Sequence, residues 1–558
     1  MPSLPMLLGW WSPYGEMLSL LLAAWLTYVG ILPGGGVSDD NYGILLYRGD
    51  WKDPDAAQPP DKWVKGPLGF GRLWRHIRWL VGRIPNPNKD WQRANQPPWV
   101  HNVIRHHRLN IWLLCGVAGL LYGFLSRVID PHVAWLATLL FVVHPMGTQT
   151  IAWISGNGYA LGMLFMLLGL NLIFIMQDAG WMASTLGTIG AVGLYALCQW
   201  LALEAMFATM GVVWVLLLLK LWPFAILAGL FTLFSAANTF RVAIDLRKSI
   251  FKDQHMGQPT RFYPKKLIVV MKSLAYYTKL ILFPKRLGLY HQYCYHYDIP
   301  IVETEDRYCY AGVLLVGLCG IGIAWGPLVV QLACVWYLAF ICIFLNWITA
   351  NQFFTERYAW IPTLGLCLLV AAYTPSWLYW LVLGILLMRT WAHLPTYYNE
   401  TQFYESNLWN FPTSEVASGN LGVVLMNRGL IGSAHESWIM GVRMNADYDV
   451  NWYNLSTAFK VRGFVNPNYV PMLATILPNE IQAALVNDPM KGYMVLSKFC
   501  LEKALASRTC HFPKPWTLEL EEVNKTLAKL SEPPPAPVVV SAPESSSVVP
   551  IPLEVPKT

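Results

Sequence analysis

Charge is scarce in this chain. Of its 558 residues only 13% are Asp, Glu, Lys or Arg, while 55% are hydrophobic and 27 are Trp. A water-soluble globule carries about twice that charged fraction, so a single soluble domain is excluded. Cysteine is not clustered either. The ten Cys include no Cys-x-x-Cys pair, which removes the usual zinc signature and leaves no expected metal site. Most fall inside apolar windows, where a thiol is a small packing residue. Cys294 with Cys309 and Cys500 with Cys510 lie in segments expected outside the cytoplasm, where disulfides persist, and are candidate pairs. The net charge of +7 comes without any nucleic-acid-binding motif, so nucleic acid is not an expected partner. The first apolar window, residues 5–32, has neither a basic leader nor a small-residue cleavage site. It is read as a retained helix rather than a signal peptide.

What the chain has in abundance is apolar windows of about 17 to 25 residues, the length that crosses a bilayer core. They recur to about residue 391 and then stop. The windows fall at 6–32, 110–127, 131–144, 158–176, 183–201, 206–221, 223–239, 310–327, 329–348, 358–374 and 376–391, about eleven spans in all. The fold class expected is therefore all-α and polytopic. Residues 267–283 are apolar too, but Lys272 and Lys279 stand seven apart on one helical face. That pattern suits an interfacial or re-entrant helix better than a spanning one. Alternating sides from this count puts Asp39, Asp40, His144, Glu204, segment 241–308, Glu356 and Arg357 on one face of the membrane. Ionisable groups gathered on one face read as a site, or simply as polar loops. The basic, aromatic-rich stretches 48–108 and 241–286 suit an anionic lipid-linked ligand or ordinary interfacial anchoring.

Three regions follow: a transmembrane domain over 1–394, with outer segments at 33–109 and 241–309; a helical domain over 395–532; and a Pro/Ser-rich tail over 533–558 that cannot bury a core and is expected to be disordered. In the second region "NLGVVLMNRG" at 420–429 and "NLSTAFKVRG" at 454–463 repeat with a period of 34, that of a helix-turn-helix tetratricopeptide (TPR) repeat. Gly422 and Ala434 stand where small residues let paired helices approach. The second copy has Ser456 in place of the glycine.

Three stretches can carry chemistry. In "GGGVSDDNYGILLYRGDW" the adjacent carboxylates Asp39 and Asp40 can divide labour, one raised in pKa by repulsion and the other free to accept a proton, or they can be turn residues after glycine. "HPMGTQTIAWISGNG", 144–158, interrupts two apolar runs. Its His144 can pack by hydrogen bonding or orient a phosphate. "NQFFTERYAWIP", 351–362, places Glu356 and Arg357 at a helix mouth. Arg357 fits a phosphate through parallel hydrogen bonds, or pairs with Glu356.

Together these segments resemble a family. "LFVVHPMGTQTIAWISGNGYALGMLFMLLGLNL" resembles the HPxxTExVxWxxGRxxxL region of the transmembrane and TPR-repeat-containing O-mannosyltransferases and their bacterial relatives. "SDDNYGILLYRGDW" resembles their DDxxAIxxNxD element, "YYTKLILFPKRLGLYHQY" their YLxxLLFPxxLSxxY segment, and "NWITANQFFTERYAWIPTLGLCLL" their ERYLYLPSxGFCLL segment. The likeness covers roughly residues 10–480. It implies a GT-C glycosyltransferase, an integral protein of a bacterial inner membrane or the endoplasmic reticulum, that uses no cofactor. The donor would be a polyprenyl-phosphate-linked sugar, mannose-like, and the acceptor a hydroxyl of a protein or surface glycan outside the cytoplasm. By position Asp39 would be the general base, with Asp40 supporting it. His144, Gln149, Glu204, Arg241, Lys279, Glu356 and Arg357 would hold the lipid phosphate. The TPR-like domain would sit on the non-cytoplasmic side and hold a protein acceptor or partner. Three charged positions of the family are neutral here: its Glu is Gln149, its Arg is Asn157 and its Lys is Leu203. The other expectation is therefore a catalytically inactive scaffold subunit of a larger membrane assembly.

Overall fold

The computed structural model describes residues 13–37, 83–85, 99–177, 206–230, 264–289, 306–345, 354–462, 476–487, 489–507 and 513–531, with scattered helical positions at 187–194 and 233. The described chain is helical apart from two three-residue strands. These are β1 (Arg83–Pro85) and β2 (Trp99–His101), antiparallel with Ile84 opposite Val100.

The first apolar helix, α1 (Pro13–Tyr28), buries Leu20, Ala24 and Tyr28 and turns Tyr14, Leu18, Leu22 and Leu26 outward. Each set recurs every four residues, so the helix has two apolar faces, one on protein and one outward. An apolar outer face of this kind is one that meets lipid or another apolar surface. α2 (Val103–Val128) starts where the Asn102 side chain accepts the Arg105 N–H. Its 26 residues make it about 39 Å long, so the basic first turns overhang an apolar core of about 30 Å. α3 (Pro131–Val143) opens with Pro131 behind Asp130, whose carboxylate accepts the N–H groups of His132 and Val133. A fixed proline φ and a capping Asp start a helix sharply. After the short α4 (Thr148–Ala152), α5 (Gly158–Gln177) returns alongside α2, and α6 (Met206–Leu218) follows.

α7 (Pro264–Leu282) packs on α8 (Arg307–Trp325) so closely that a side chain at Gly312 would strike the Met271 carbonyl. Two lysines of α7 reach the start of α8: Lys272 Nζ lies 3.3 Å from Asp306 Oδ1, and Lys279 donates to the Tyr308 hydroxyl at 2.6 Å. α9 (Leu328–Ile341) packs against α10 (Glu356–Tyr373), and α11 (Ser376–His393) closes the bundle. Among the described residues five helical stretches are long and apolar enough to cross a membrane: Tyr14–Ile31, Val103–Val128, Ile154–Met176, Arg307–Trp325 and Ser376–Tyr397. Pro131–Val143 and Leu328–Ile341 are apolar but shorter.

Beyond residue 399 the helices are α12 (Glu400–Asn410), α13 (Glu415–Asn427), α14 (Ile431–Met444), α15 (Asp449–Arg462), α16 (Asn479–Asn487), α17 (Pro489–Ala506) and α18 (Pro513–Ser531). α13 and α14 pack against each other as a helical hairpin. The Ser418 and Ser437 hydroxyls each donate to the other's backbone carbonyl, and Trp438 Nε1 donates to Gly419 O at 2.9 Å. Gly422 is the small residue this needs, because a Cβ there would overlap the Trp438 indole. Gly429, at φ +79°, ends α13 in the left-handed region where glycine is unstrained. The second copy departs from the pattern. Ser456 makes the same reciprocal bonds with Ser497 of α17, 41 residues on, where Ser418 meets Ser437 19 residues on. Cys309 and Cys500 carry free thiols; Cys294 and Cys510 lie outside the described residues, as does the tail 533–558.

Candidate functional site

The ends of α1, α3, α7 and α11 and the start of α10 meet at one end of the bundle. Gln149, on α4, is wholly buried and ties α4 to the start of α10. Its Oε1 accepts the Thr355 hydroxyl at 2.6 Å and the Arg357 backbone N–H at 2.9 Å. Thr355 precedes α10, and its own side chain makes no cap bond, so an amide from a distant segment caps the helix. Capping by a side-chain oxygen needs only an acceptor, which an amide supplies as well as a carboxylate does.

Arg357 lies one residue into α10 and is almost buried. Its guanidinium stacks over Trp153 at 5.3 Å and Tyr358 at 5.2 Å. Trp153 in turn donates from Nε1 to the Val37 carbonyl at 3.1 Å. Val37, the last described residue before Ser38, Asp39 and Asp40 in the sequence, is thereby tied to the Trp153 that Arg357 covers. The glycines before it are held as well: Gly35 N–H donates to Tyr398 O at 2.7 Å, and side chains at Gly34 or Gly35 would press on backbone carbonyls.

Glu356 is buried and accepts the Gly288 N–H at 2.5 Å. Gly288 belongs to the Phe283–Leu289 connection, which Arg389 pins by donating to Pro284 O and Lys285 O, each at 2.8 Å. Asn410 of α12 donates to Leu287 O at 2.9 Å, tying the C-terminal helices to the same connection. His144 ends α3. Its Nδ1 accepts the Met146 N–H at 3.2 Å, and its ring faces the Ile281 carbonyl of α7. Asn157 donates to Asn110 Oδ1 at 3.0 Å, while Asn110 donates to Ile151 O and Trp153 O.

His144, Gln149, Glu356 and Arg357, expected from sequence to form a site, are thus drawn together. Lys279 points instead to Tyr308. Asp39, Asp40, Glu204 and Arg241 lie outside the described residues, as does Leu203. Sequence reasoning missed Arg389, Asn110 and Trp153 as organisers; each acts on backbone carbonyls, which no motif spacing encodes. Among the described residues no three His, Cys, Asp or Glu side chains converge as a metal site. Compared with protein-family models, with curated proteins and with solved structures, the chain finds no match.

Proposed function

We propose that this protein is a membrane glycosyltransferase that moves a sugar from a polyprenyl-phosphate donor to a hydroxyl outside the cytoplasm. One observation carries the reading: three of the segments that resemble the O-mannosyltransferase elements, far apart in sequence, come together around His144, Gln149, Glu356 and Arg357, and Val37, the residue before the fourth, is held beside them. Val37 reaches Arg357 through Trp153, Gln149 bonds the start of α10, and Gly288 bonds Glu356. Arg357 at a helix N-terminus, where backbone N–H groups add partial positive charge, suits a phosphate. In the proposed reaction Asp39 takes the proton of the acceptor hydroxyl, whose oxygen attacks the anomeric carbon. The bond to the lipid phosphate breaks with inversion, and Arg357 offsets the charge left on that phosphate. On this reading the chain crosses the membrane about eleven times. The helical hairpins after residue 399 form a TPR-like domain on the non-cytoplasmic side that receives a protein acceptor.

Purified chain in nanodiscs, given polyprenyl-phosphate mannose and hydroxyl-bearing peptides or glycans, is expected to transfer the sugar. Asp39→Asn should reduce transfer at least about a hundredfold, within the range general-base loss produces. Equal activity in the variant would remove Asp39 from that role.

A second reading, a catalytically inactive scaffold, is favoured by a specific feature. Gln149 and Asn157, neutral where the family has charge, are engaged in structural hydrogen bonds to Thr355, Arg357 and Asn110. Stoichiometric co-purification with a membrane partner, with no transfer under any donor, would decide for it.

A further inference from the structure

α8 turns one apolar face away from the protein, and that face begins at a pair of cations. Tyr310, Leu314 and Ile321 are 74%, 62% and 56% exposed. Gly317 lies between the last two, with open space where a side chain would stand, and Gly320 is equally open. Steps of three and four residues put Tyr310, Leu314, Gly317 and Ile321 on the same side of the helix as Arg307. At the head of this stripe Lys279 of α7 and Arg307 are both exposed, and both sit over the Tyr308 ring, Lys279 Nζ at 5.3 Å and Arg307 Cζ at 5.8 Å from its centre. Two like charges on one ring repel each other, and an anion shared between them removes the repulsion. Lys279 donates to Tyr308 Oη at 2.6 Å. By valence the ammonium keeps two further N–H groups and the phenol keeps its own O–H to donate. Tyr308 is itself held edge-on by Tyr276 at 6.3 Å. Asp306, the acid next to Arg307, is met by Lys272 at 3.3 Å, so Lys279 and Arg307 retain a net positive charge. α8 is long and apolar enough to cross a membrane, which sets its first residue at the depth of the lipid phosphates.

We propose that α7 and α8 form a site for one acidic phospholipid, its phosphate held by Lys279, Tyr308 and Arg307 and one acyl chain lying over Gly317 and Gly320. Charge selects the class, because a choline headgroup brings a cation of its own that Lys279 and Arg307 repel. The apolar stripe selects a lipid over a free phosphate. Lys279 turns to Tyr308 rather than to the Arg357 cluster, so this site stands or falls apart from the transferase reading.

The test is native mass spectrometry of the full chain released from nanodiscs of equal phosphatidylglycerol and phosphatidylcholine. Wild type is expected to retain phosphatidylglycerol in preference. Lys279→Gln and Arg307→Gln should each lose about fivefold of that preference, the scale of one cation at a membrane surface. Tyr308→Phe, which keeps the ring and removes one donor, should lose less. Gly317→Leu meets open space and so folds, and it should weaken retention with the charges intact. Lys285→Gln with Arg286→Gln removes two exposed charges elsewhere and should leave the preference unchanged. Equal retention of the two lipids by wild type, or an equal loss in the Lys285 and Arg286 control, would overturn the site. Unchanged retention in Gly317→Leu would overturn the placing of the acyl chain. Displacement by excess inorganic phosphate would make it a free-anion site, and displacement by equimolar polyprenyl phosphate would give it to that lipid; either result overturns the assignment to phospholipid.

Discussion

Gln149 shows how one side chain can hold a site without doing its chemistry. Its amide oxygen serves two buried donors at once, the Thr355 hydroxyl and the Arg357 N–H. Replacing it with Leu keeps the volume close and strands both. Two unmet buried donors cost about 1–3 kcal/mol each, so Gln149→Leu should lower the melting temperature of the chain in detergent by several degrees. Gln149→Glu keeps the acceptor and places a negative charge at a helix N-terminus, so it should melt close to wild type. A Leu variant as stable as wild type would show that the cap contributes nothing. His435 is a second single-residue case. Packed against Trp438 and Phe459, its imidazole is pushed by burial from 6.5 down to about 4. The unfolded chain takes up a proton that the folded one resists, so this contribution is fully present above about pH 6.5 and is lost as pH falls toward 4. A shift of that size corresponds to roughly 3 kcal/mol. Corrected for the intrinsic rate, which itself falls with pH, the hydrogen-exchange protection of α14 should therefore drop between pH 7 and pH 5, and His435→Phe should flatten the change; an unaltered pH slope in the variant would assign the effect elsewhere.

Between helices, backbone carbonyls and glycines decide what fits. Gly312 lets α7 lie against α8 at the Met271 carbonyl, and Gly365 lets α10 approach the Ala333 carbonyl of α9. The connection Phe283–Leu289 has no regular structure, yet Arg389, Glu356 and Asn410 all bind its backbone. Arg389→Ala removes two of those bonds and leaves both carbonyls without protein donors. Limited proteolysis should then cut at Lys285 or Arg286 several times faster than in wild type. Protection unchanged in the variant would mean that the Gly288–Glu356 bond alone secures the segment.

Across the whole molecule, two surface regimes meet in one chain. The outward faces of α1, α8 and α11 carry Leu18, Leu22, Val313, Leu314, Leu318, Trp377, Leu381 and Ile385, whereas the outer faces beyond residue 399 carry Glu, Lys and Asn. Apolar faces of this extent on helices long enough to cross a bilayer fit contact with hydrocarbon. Membranes washed in alkaline carbonate should accordingly retain the protein, and detergent should release it. Release by carbonate alone would contradict an integral membrane protein.

The sequence alone settled the helical class, the apolar helices and the change of character near residue 395, because burial in lipid and helical periodicity are written directly into side-chain order. It also singled out His144, Gln149, Glu356 and Arg357, since charged or polar groups at the ends of apolar runs are conspicuous. Tertiary structure alone decided what these residues touch. Gln149 caps a helix 206 residues away in sequence, Arg357 stacks on Trp153 instead of standing free, and α15 bonds to α17 through Ser456 and Ser497 rather than to the next described helix. Each outcome depends on which backbone carbonyls and glycine gaps come within about 3 Å after packing. Those distances arise from the shapes of several helices together, and no local pattern of residues specifies them.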